Sequence, residues 1–404
     1  MGLDGSRSGG VNEFSPEEAL KVMKVQEVIT RAMSGQLSWL EAAEILRWSP
    51  RTLRRWRWRY EQFGYDGLFD RRKRRPSPRR VPMKTAEKVL RLYREEHSGW
   101  NVRHFHEKLV EEHGIKLSYQ WVKCALQTAG LVPKRTRGSK HRQERPRRPL
   151  RGMLVHVDGS THEWIPGAGW QPDLVAFVDD ATSKAYEAFL CEEEGTMPVL
   201  SGLQEVIAEH GLFCSLYTDR GSHFFHTEKA NGPVDRTRLT QVGRALAQLG
   251  IEHIPSYSPE ARGRMERFFG TWQGRLPQEL QRAGITTMEE ANRYIREKFI
   301  PWHNRKLAVK AAEDGSAFVP CGGTDLDAIL CVQEERIVAN DNTVSWGRKK
   351  LQIAPQSWRG SLARSRVRVC AHVDGTISVR LGPRVVGWYD AQGKPLKEEH
   401  QAAA

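Results

Sequence analysis

The chain has 404 residues, more than one ordinary domain holds, so two to four domains are expected. Its hydrophobic fraction of 39% is modest, but 13 Trp and 13 Phe supply material for real cores. No apolar run approaches the length of a membrane-spanning helix, so a soluble protein is expected. The net charge of +14 is unevenly placed: residues 1–150 hold 33 Lys+Arg against 17 Asp+Glu, and residues 151–404 hold 30 against 32. A basic excess confined to one end points to a polyanion partner, most often nucleic acid. Six widely spaced cysteines with no Cys-x-x-Cys pair, and no secretory leader, fit reduced thiols in a cytoplasmic protein. Met1-Gly2 to Ser6 matches a myristoylation pattern, but a Gly/Ser-rich leader makes that match by chance.

Residues 1–15 read as a disordered leader. Over 16–70 the periodicity predicts a helix from Pro16 to Met33, then a short one from Trp39 to Leu46 capped by Ser38, with Glu41 completing a capping box. After Arg47-Trp-Ser49, Pro50 suits a first helical turn. The helix from Arg51 to Phe63 sets Leu53, Trp56 and Tyr60 on one face and Arg51, Arg54, Arg55, Arg57 and Arg59 on the rest. A short helix, a tight turn and an arginine-rich helix form a helix-turn-helix. Arg51 and Thr52 are its base-edge candidates, and Arg54, Arg55 and Arg57 its phosphate contacts. An arginine face that is merely solvated is the bland alternative, and a single acid (Glu61) among five arginines weighs against it.

Residues 71–84 read as a basic linker opening with Arg71, Arg72, Lys73, Arg74 and Arg75. Three helices are predicted over 85–133 (Thr85–Glu96, Asn101–Glu112 and Ser118–Ala129), a second helix-turn-helix-like domain whose more balanced charge suits packing or dimerisation. Its histidines 97, 104, 106 and 113 lack the paired spacing of a zinc site. Residues 134–150 form a second basic linker.

From 151 to 312 the pattern changes to β-β-β-α-β-α-β-α. The strands are Met153–Val157, Leu174–Val178, Lys184–Leu190, Cys214–Thr218 and Ile251–Ile254, and the last helix runs from Ala261 to Gln273. Thr196 is expected to cap the first helix, residues 226–236 to form a surface loop, and Asp179-Asp180 to be turn residues. This is an α/β unit with a mixed five-stranded sheet. Asp158 and Asp219 fall at strand ends, and a helix crossing the sheet edge would bring Glu266 alongside. Clustered carboxylates repel unless a cation neutralises them, and oxygen donors favour Mg²⁺ or Mn²⁺, two ions for chemistry on a phosphodiester. Taken singly, each acid also reads as a turn or exposed helix residue. Arg262, Arg264 and Arg267 flank Glu266 as phosphate contacts or as a solvated helix start. Beyond a Gly-rich link over 311–324, six short strands within 325–395 suggest a small β-barrel with a basic edge.

Four segments carry a resemblance: His156-Val-Asp158-Gly-Ser, Phe177-Val-Asp-Asp-Ala-Thr-Ser-Lys184, Tyr217-Thr-Asp219-Arg-Gly-Ser-His-Phe224, and Ser256 through Glu266 to Phe269. They resemble the catalytic core of DDE transposases and retroviral integrases. With the helix-turn-helix, the chain is similar to bacterial insertion-sequence transposases of the ISNCY type over about 50–395. The resemblance implies a ribonuclease-H-like core, a metal-binding triad at Asp158, Asp219 and Glu266, and a DNA-contacting C-terminal barrel. It further implies double-stranded DNA as partner, a multimer assembled on that DNA, and work at the bacterial nucleoid. The interval from Asp219 to Glu266 is longer than in many retroviral-type cores, which sets Glu266 apart from the other two. A catalytically inactive DNA-binding regulator and a ribonuclease-H-like nuclease are the alternative readings.

Overall fold

Three short, largely apolar runs joined by polar turns in hairpin manner, followed by two strand–helix repeats, build the central layer. In the computed structural model, which describes residues 16–69, 80–134, 145–229, 232–257 and 263–396, the sheet is made by β1 (Val155–Thr161), β2 (Asp173–Asp179), β3 (Ala185–Cys191), β4 (Ser215–Thr218) and β7 (Glu252–Pro255). Their order is β3-β2-β1-β4-β7. β1, β2 and β3 pair antiparallel, and β1, β4 and β7 pair parallel, so the predicted mixed sheet of five strands is present.

The sheet is covered on both faces, which is why β2 is buried at all seven positions. One face carries Val155, Val157, Val175 and Phe177 against α7 (Thr196–His210) and α8 (Gln241–Leu249). The other carries Leu174, Ala176, Val178, Ala188 and Leu190 against α9 (Gly263–Gln273), α10 (Leu276–Arg282), α11 (Met288–Tyr294) and a π-helical stretch, Ile295–Phe299, that runs into α12 (Ile300–Lys306). Gly202 on α7 is a required glycine: a Cβ there would lie 2.1 Å from Phe177 Cε2. Three local expectations are corrected. The cap of α7 is Gly195, without a side-chain bond, rather than Thr196. The loop after β4 contains a two-stranded ribbon, β5 (His226–Thr227) with β6 (Val234–Asp235). The Gly-rich link is tied to the core, with Leu212 and Val319 exchanging backbone bonds of 2.8 and 2.9 Å.

The chain forms two units, Met1–Glu87 and Lys88–Ala404. In the first, α1 (Pro16–Met33), α2 (Trp39–Leu46) and α3 (Pro50–Phe63) pack around Val28, Ile29, Ala42, Ala43 and Leu53, and a 3-10 turn, Gly64–Leu68, closes that core with Leu68. The capping box forms as expected: Glu41 N donates to Ser38 Oγ at 3.2 Å, and Ser38 N to Glu41 Oε2 at 2.8 Å. The turn between α2 and α3 hinges on Arg47, whose φ of 53° is left-handed.

In the second unit, α4 (Met83–Glu96, which begins just before the unit boundary), α5 (Val102–Glu111) and α6 (Tyr119–Thr128) share a core of Val89, Tyr93, Phe105, Leu109, Val122 and Leu126. Ion pairs dock this trio on the helices beside α9. His104 Nε2 lies 2.6 Å and Lys108 Nζ 2.9 Å from Glu279 Oε1. Arg275 bonds Glu107, and Arg282 bonds Glu112 at 2.9 Å through both nitrogens. The predicted second helix-turn-helix domain thus has one face committed to packing.

After α13 (Leu326–Ile329), β8 (Val332–Ile337), β11 (Arg366–Ala371), β12 (Ile377–Leu381) and β13 (Arg384–Tyr389) form a four-stranded antiparallel sheet in the order β13-β12-β11-β8. β9 (Thr343–Trp346) and β10 (Lys349–Gln352) form a separate pair. Six short strands form within 325–395 as expected, but the barrel is corrected: among the described residues the hydrogen bonding does not close into a ring. Both sheets share one core around Val344, Leu351, Val369, Val379 and Tyr389. Arg244 of α8 anchors this part, donating to Ile329 O at 3.1 Å and Cys331 O at 2.5 Å.

Candidate active site

The register of β1 sets the site. Its odd residues Val155 and Val157 belong to the core on the α7 side, so by alternation His156 and Asp158 face the α9 side. Asp158 pairs across to Ala176 of β2, which belongs to the α9-side core. On its other edge β1 pairs with β4 only at Val155–Leu216 and His156–Tyr217. Continuing that parallel register by two rows sets Asp158 beside Asp219, the residue that follows β4. One expectation is corrected here. Asp158 does not end its strand, because antiparallel pairing with β2 carries β1 on to Thr161. What ends before Asp158 is the pairing with β4, so the two half-buried aspartates stand where neighbouring strands part.

Helix α9 brings the third acid. Met265, Phe268, Phe269 and Trp272 bury one stripe against the sheet, and Glu266 beside them is exposed. Two contacts bracket Glu266 along β1. Near the start of α9, Arg264 pairs with Asp180, which also bonds His156 of β1. At its end, Gln273 Nε2 donates to Ser160 Oγ at 3.1 Å. The helix therefore runs alongside the strand segment that contains Asp158. Among the described residues no group of three His, Cys, Asp or Glu closes to metal-holding distance. The donor set itself, carboxylate oxygens, suits a hard divalent cation.

Small residues keep the approach open. A Cβ on Gly159 would lie 2.1 Å from Glu194 Oε2, and one on Gly221 would lie 3.0 Å from both Asp219 Oδ1 and His223 Cε1. Glu194 Oε1 and His223 Nε2 are 3.4 Å apart, so this pair spans from the β1 side to the loop after β4. Gly221 N donates to Asp219 Oδ1 at 2.8 Å and fixes the turn there. His223 lies within the Tyr217–Phe224 segment that carries the resemblance, whereas Glu194 belongs to no such segment. The acidic run Glu192-Glu193-Glu194 before α7 was the available signal.

The two acids of Asp179-Asp180 divide. Asp179 does serve the turn, accepting from Thr182 N at 2.8 Å and Thr182 Oγ1 at 2.6 Å. Asp180 instead sits in a buried cluster with His156, Arg145 and Arg264. Burial opposes its ionisation, but the bond from His156, the amide of Arg148 and the field of Arg264 hold its carboxyl well below the usual carboxylate range. Burial pushes His156 below the usual imidazole range.

The candidate DNA residues also divide. Arg51, Arg54 and Arg55 are exposed on α3. Arg57 pairs with Glu61 at 2.7 Å and lies 4.5 Å over the Trp39 ring, while Thr52 bonds the cap residue Ser49 through its N–H and hydroxyl. Arg267 is exposed and bonds Gly263 O. Arg264 is corrected as a phosphate contact, since its side chain is only 10% exposed and is committed to Asp180 and Arg145 O. Arg71, Arg72, Lys73, Arg74, Arg75 and Arg262 lie outside the described residues, as do the leader, much of both linkers and residue 261.

Comparison with known proteins places these features in company. A helix-turn-helix domain model matches residues 26–77, and a homeodomain-like domain model matches 52–126. A putative transposase of Sinorhizobium fredii, y4bF, is 29% identical over 88% of this chain and 77% of its own length. The transposase for insertion sequence IS1202 of Streptococcus pneumoniae is 29% identical over 66% of this chain and 64% of its own, so the chain spans under two thirds of that relative. Among solved structures, the HTLV-2 integrase catalytic core domain in complex with magnesium covers 41% of this chain and 93% of its own, at 16% identity and a TM-score of 0.29. A simian T-cell lymphotropic virus intasome in complex with PP2A regulatory subunit B56 gamma covers 74% and 97%, at 14% and 0.33. The chain is thus similar in sequence to two bacterial transposases, one of them that of an insertion sequence.

Proposed function

We propose that the chain is a DNA transposase with a ribonuclease-H-like core, whose metal-dependent chemistry is carried by Asp158, Asp219 and Glu266. The observation that carries this reading is the bracketing of Glu266 along β1, opposite two aspartates in adjacent register. Helix α3 reads the element's ends through Arg51 and its neighbours, with Arg54, Arg55 and the linker cations Arg71–Arg75 on phosphates. Arg57 and Thr52 support that helix, and Arg262 and Arg267 border the strand being cut.

The three carboxylates would hold Mg²⁺ or Mn²⁺, two ions on this reading, as hard oxygen donors suit. Bound there, the cations supply a nucleophile at neutral pH and stabilise the leaving oxygen. The aspartates orient the scissile phosphate at the parting of β1 and β4, and α9 closes the other side. A water cleaves one phosphodiester and frees a 3′-hydroxyl. That hydroxyl then attacks target DNA, so that one P–O bond forms as another breaks. Paired ends require a multimer assembled on DNA, and the C-terminal strands with Arg348, Lys349, Lys350, Arg364, Arg366 and Arg368 add nonspecific grip.

The test is cleavage and strand joining on the element's own ends by the wild type and by Asp158→Asn, Asp219→Asn and Glu266→Gln. The variants should bind ends like wild type and cleave at least 10³-fold more slowly, the scale set by removing groups that act only in the transition state. Normal cleavage by all three refutes the proposal, and cleavage without joining by the wild type marks a nuclease instead.

A further inference from the structure

Asp180 follows the last residue of β2 and is 1% exposed, yet neither the turn nor DNA contact uses its carboxylate. Donors from three separate parts of the core converge on it. Oδ1 accepts from His156 Nε2 of β1 at 2.7 Å, and from the guanidinium groups of Arg264 of α9 and Arg145. Oδ2 accepts from the backbone N–H of Arg148 at 2.7 Å. Around this centre, Arg147 Nη1 donates to Asp180 O at 2.9 Å and Arg264 Nη2 to Arg145 O at 2.7 Å. A buried charge left without one of its partners is costly, so such a network holds together as a unit.

Its position is informative. His156 precedes Asp158 by two residues and, by alternation, shares its face of the sheet. Arg264 precedes Glu266 by two residues in the first turn of α9. One carboxylate is therefore bonded to the strand that bears the first acid and to the helix that bears the third. At the far end of α9, Gln273 donates to Ser160 of β1, and buried Trp272 donates to His303 Nδ1 at 3.0 Å, so no charged contact to β1 is seen there among the described residues.

We propose that Asp180 is a positioning residue, an anchor that fixes the first turn of α9 on β1 and thereby sets Glu266 against Asp158. The inference rests on the triad reading above. Partners that orient metal-holding groups from behind typically change metal affinity or activity by about 10- to 100-fold when removed. Asp180→Asn keeps the shape but removes the charge that two guanidinium groups share.

The experiment is Mn²⁺ titration of the full chain without DNA, read by electron paramagnetic resonance, together with hydrogen exchange of residues 263–273. For Asp180→Asn, the Mn²⁺ dissociation constant should rise about 10-fold or more. Amides of α9 should exchange faster while those of β2 and β3 stay protected, and end binding should stay unchanged. Asp180→Glu, which keeps the charge, should recover part of the Mn²⁺ affinity. If Asp180→Asn fails to fold, Arg264→Gln, which leaves His156 and Arg148 on the carboxylate, carries the same expectations. Wild-type Mn²⁺ affinity with unchanged α9 protection in the folded variant overturns the anchor. Unaltered Mn²⁺ binding by Asp158→Asn and Glu266→Gln instead overturns the triad, and in that case the α9 exchange alone decides on Asp180.

Discussion

Arg275, at the cap position before α10, closes a two-pronged pair on Glu107 of α5, at 2.8 and 3.2 Å across 168 positions of sequence. The arginine is 5% exposed and its guanidinium lies 5.1 Å from the Trp302 ring centre, so the charge is largely out of water. Removing one partner of such a pair strands the other. Arg275→Ala should cost about 2 to 3 kcal/mol, somewhat below the range for fully buried pairs because Glu107 keeps partial solvent access. Urea unfolding of the full chain checks this, and a loss below about 0.5 kcal/mol shows that the α4–α6 trio is not held by this contact.

The same surface gives a pH signature. Burial of Glu279 opposes its ionisation, yet the bonds from His104 and Lys108 hold its carboxyl down to about 2. A folded value below the unfolded one means stability that is present above pH 4.5 and lost as pH falls toward 2. Glu279→Gln should flatten that acid limb and lower stability at neutral pH. An unchanged acid limb in the variant would rule out the linkage.

Glu187 of β3 should act with the opposite sign. Burial pushes it up to about 7, against the field of Arg296 and the amide of Ala188, with Glu205 and Glu209 adding to the rise. Its contribution is complete below pH 4.5 and lost as pH rises through about 7. Glu187→Gln removes the cost of burying a charge, so at pH 8 it should be more stable than wild type, by at most roughly 3 kcal/mol. Equal melting temperatures at pH 8 would count against it.

Gly202 of α7 has no room for a methyl group, because fully buried Phe177 fills the space a Cβ would need. Gly202→Ala should destabilise by about 1 to 3 kcal/mol despite its better helix propensity. A stabilised variant would show that α7 can shift off the sheet at little cost.

On α3, exposed Arg51, Arg54 and Arg55 contrast with Arg57, which is paired with Glu61. Alanine at Arg54 or Arg55 should reduce the slope of log affinity against log salt by about 0.9 each, as expected for one lost phosphate contact. Alanine at Arg57 should change the slope less. Equal slopes for all three place the DNA elsewhere.

How much was legible in the sequence depended on how local the cause was. The capping box at Ser38 and Glu41 and the proline start of α3 are settled within a few residues, and each stands as expected. The five strands were legible as short apolar runs bounded by polar turns. Where β1 ends was not, because its last residues are held by pairing with β2 and not by their own pattern. The C-terminal strands were visible one by one, but whether their edges join depends on pairing between distant segments. Asp180 was misread for the same reason. Beside Asp179 it looks like a turn residue, and its true neighbours come from 24 and 84 positions away. The docking of α5 on α10 left no local signal, since it uses charges that read as solvated helix faces.

Arg244 of α8 binds the carbonyls of Ile329 and Cys331 just where the chain leaves the central layer for the last strands. A guanidinium gripping two backbone oxygens leaves that exit no slack. The C-terminal strands are mounted on the core as a jig is bolted beside a blade, with Gln241 of α8 also bonded both ways to Gln333 of β8. Reach, on this account, is a dimension of the folded chain and not the sweep of a tether.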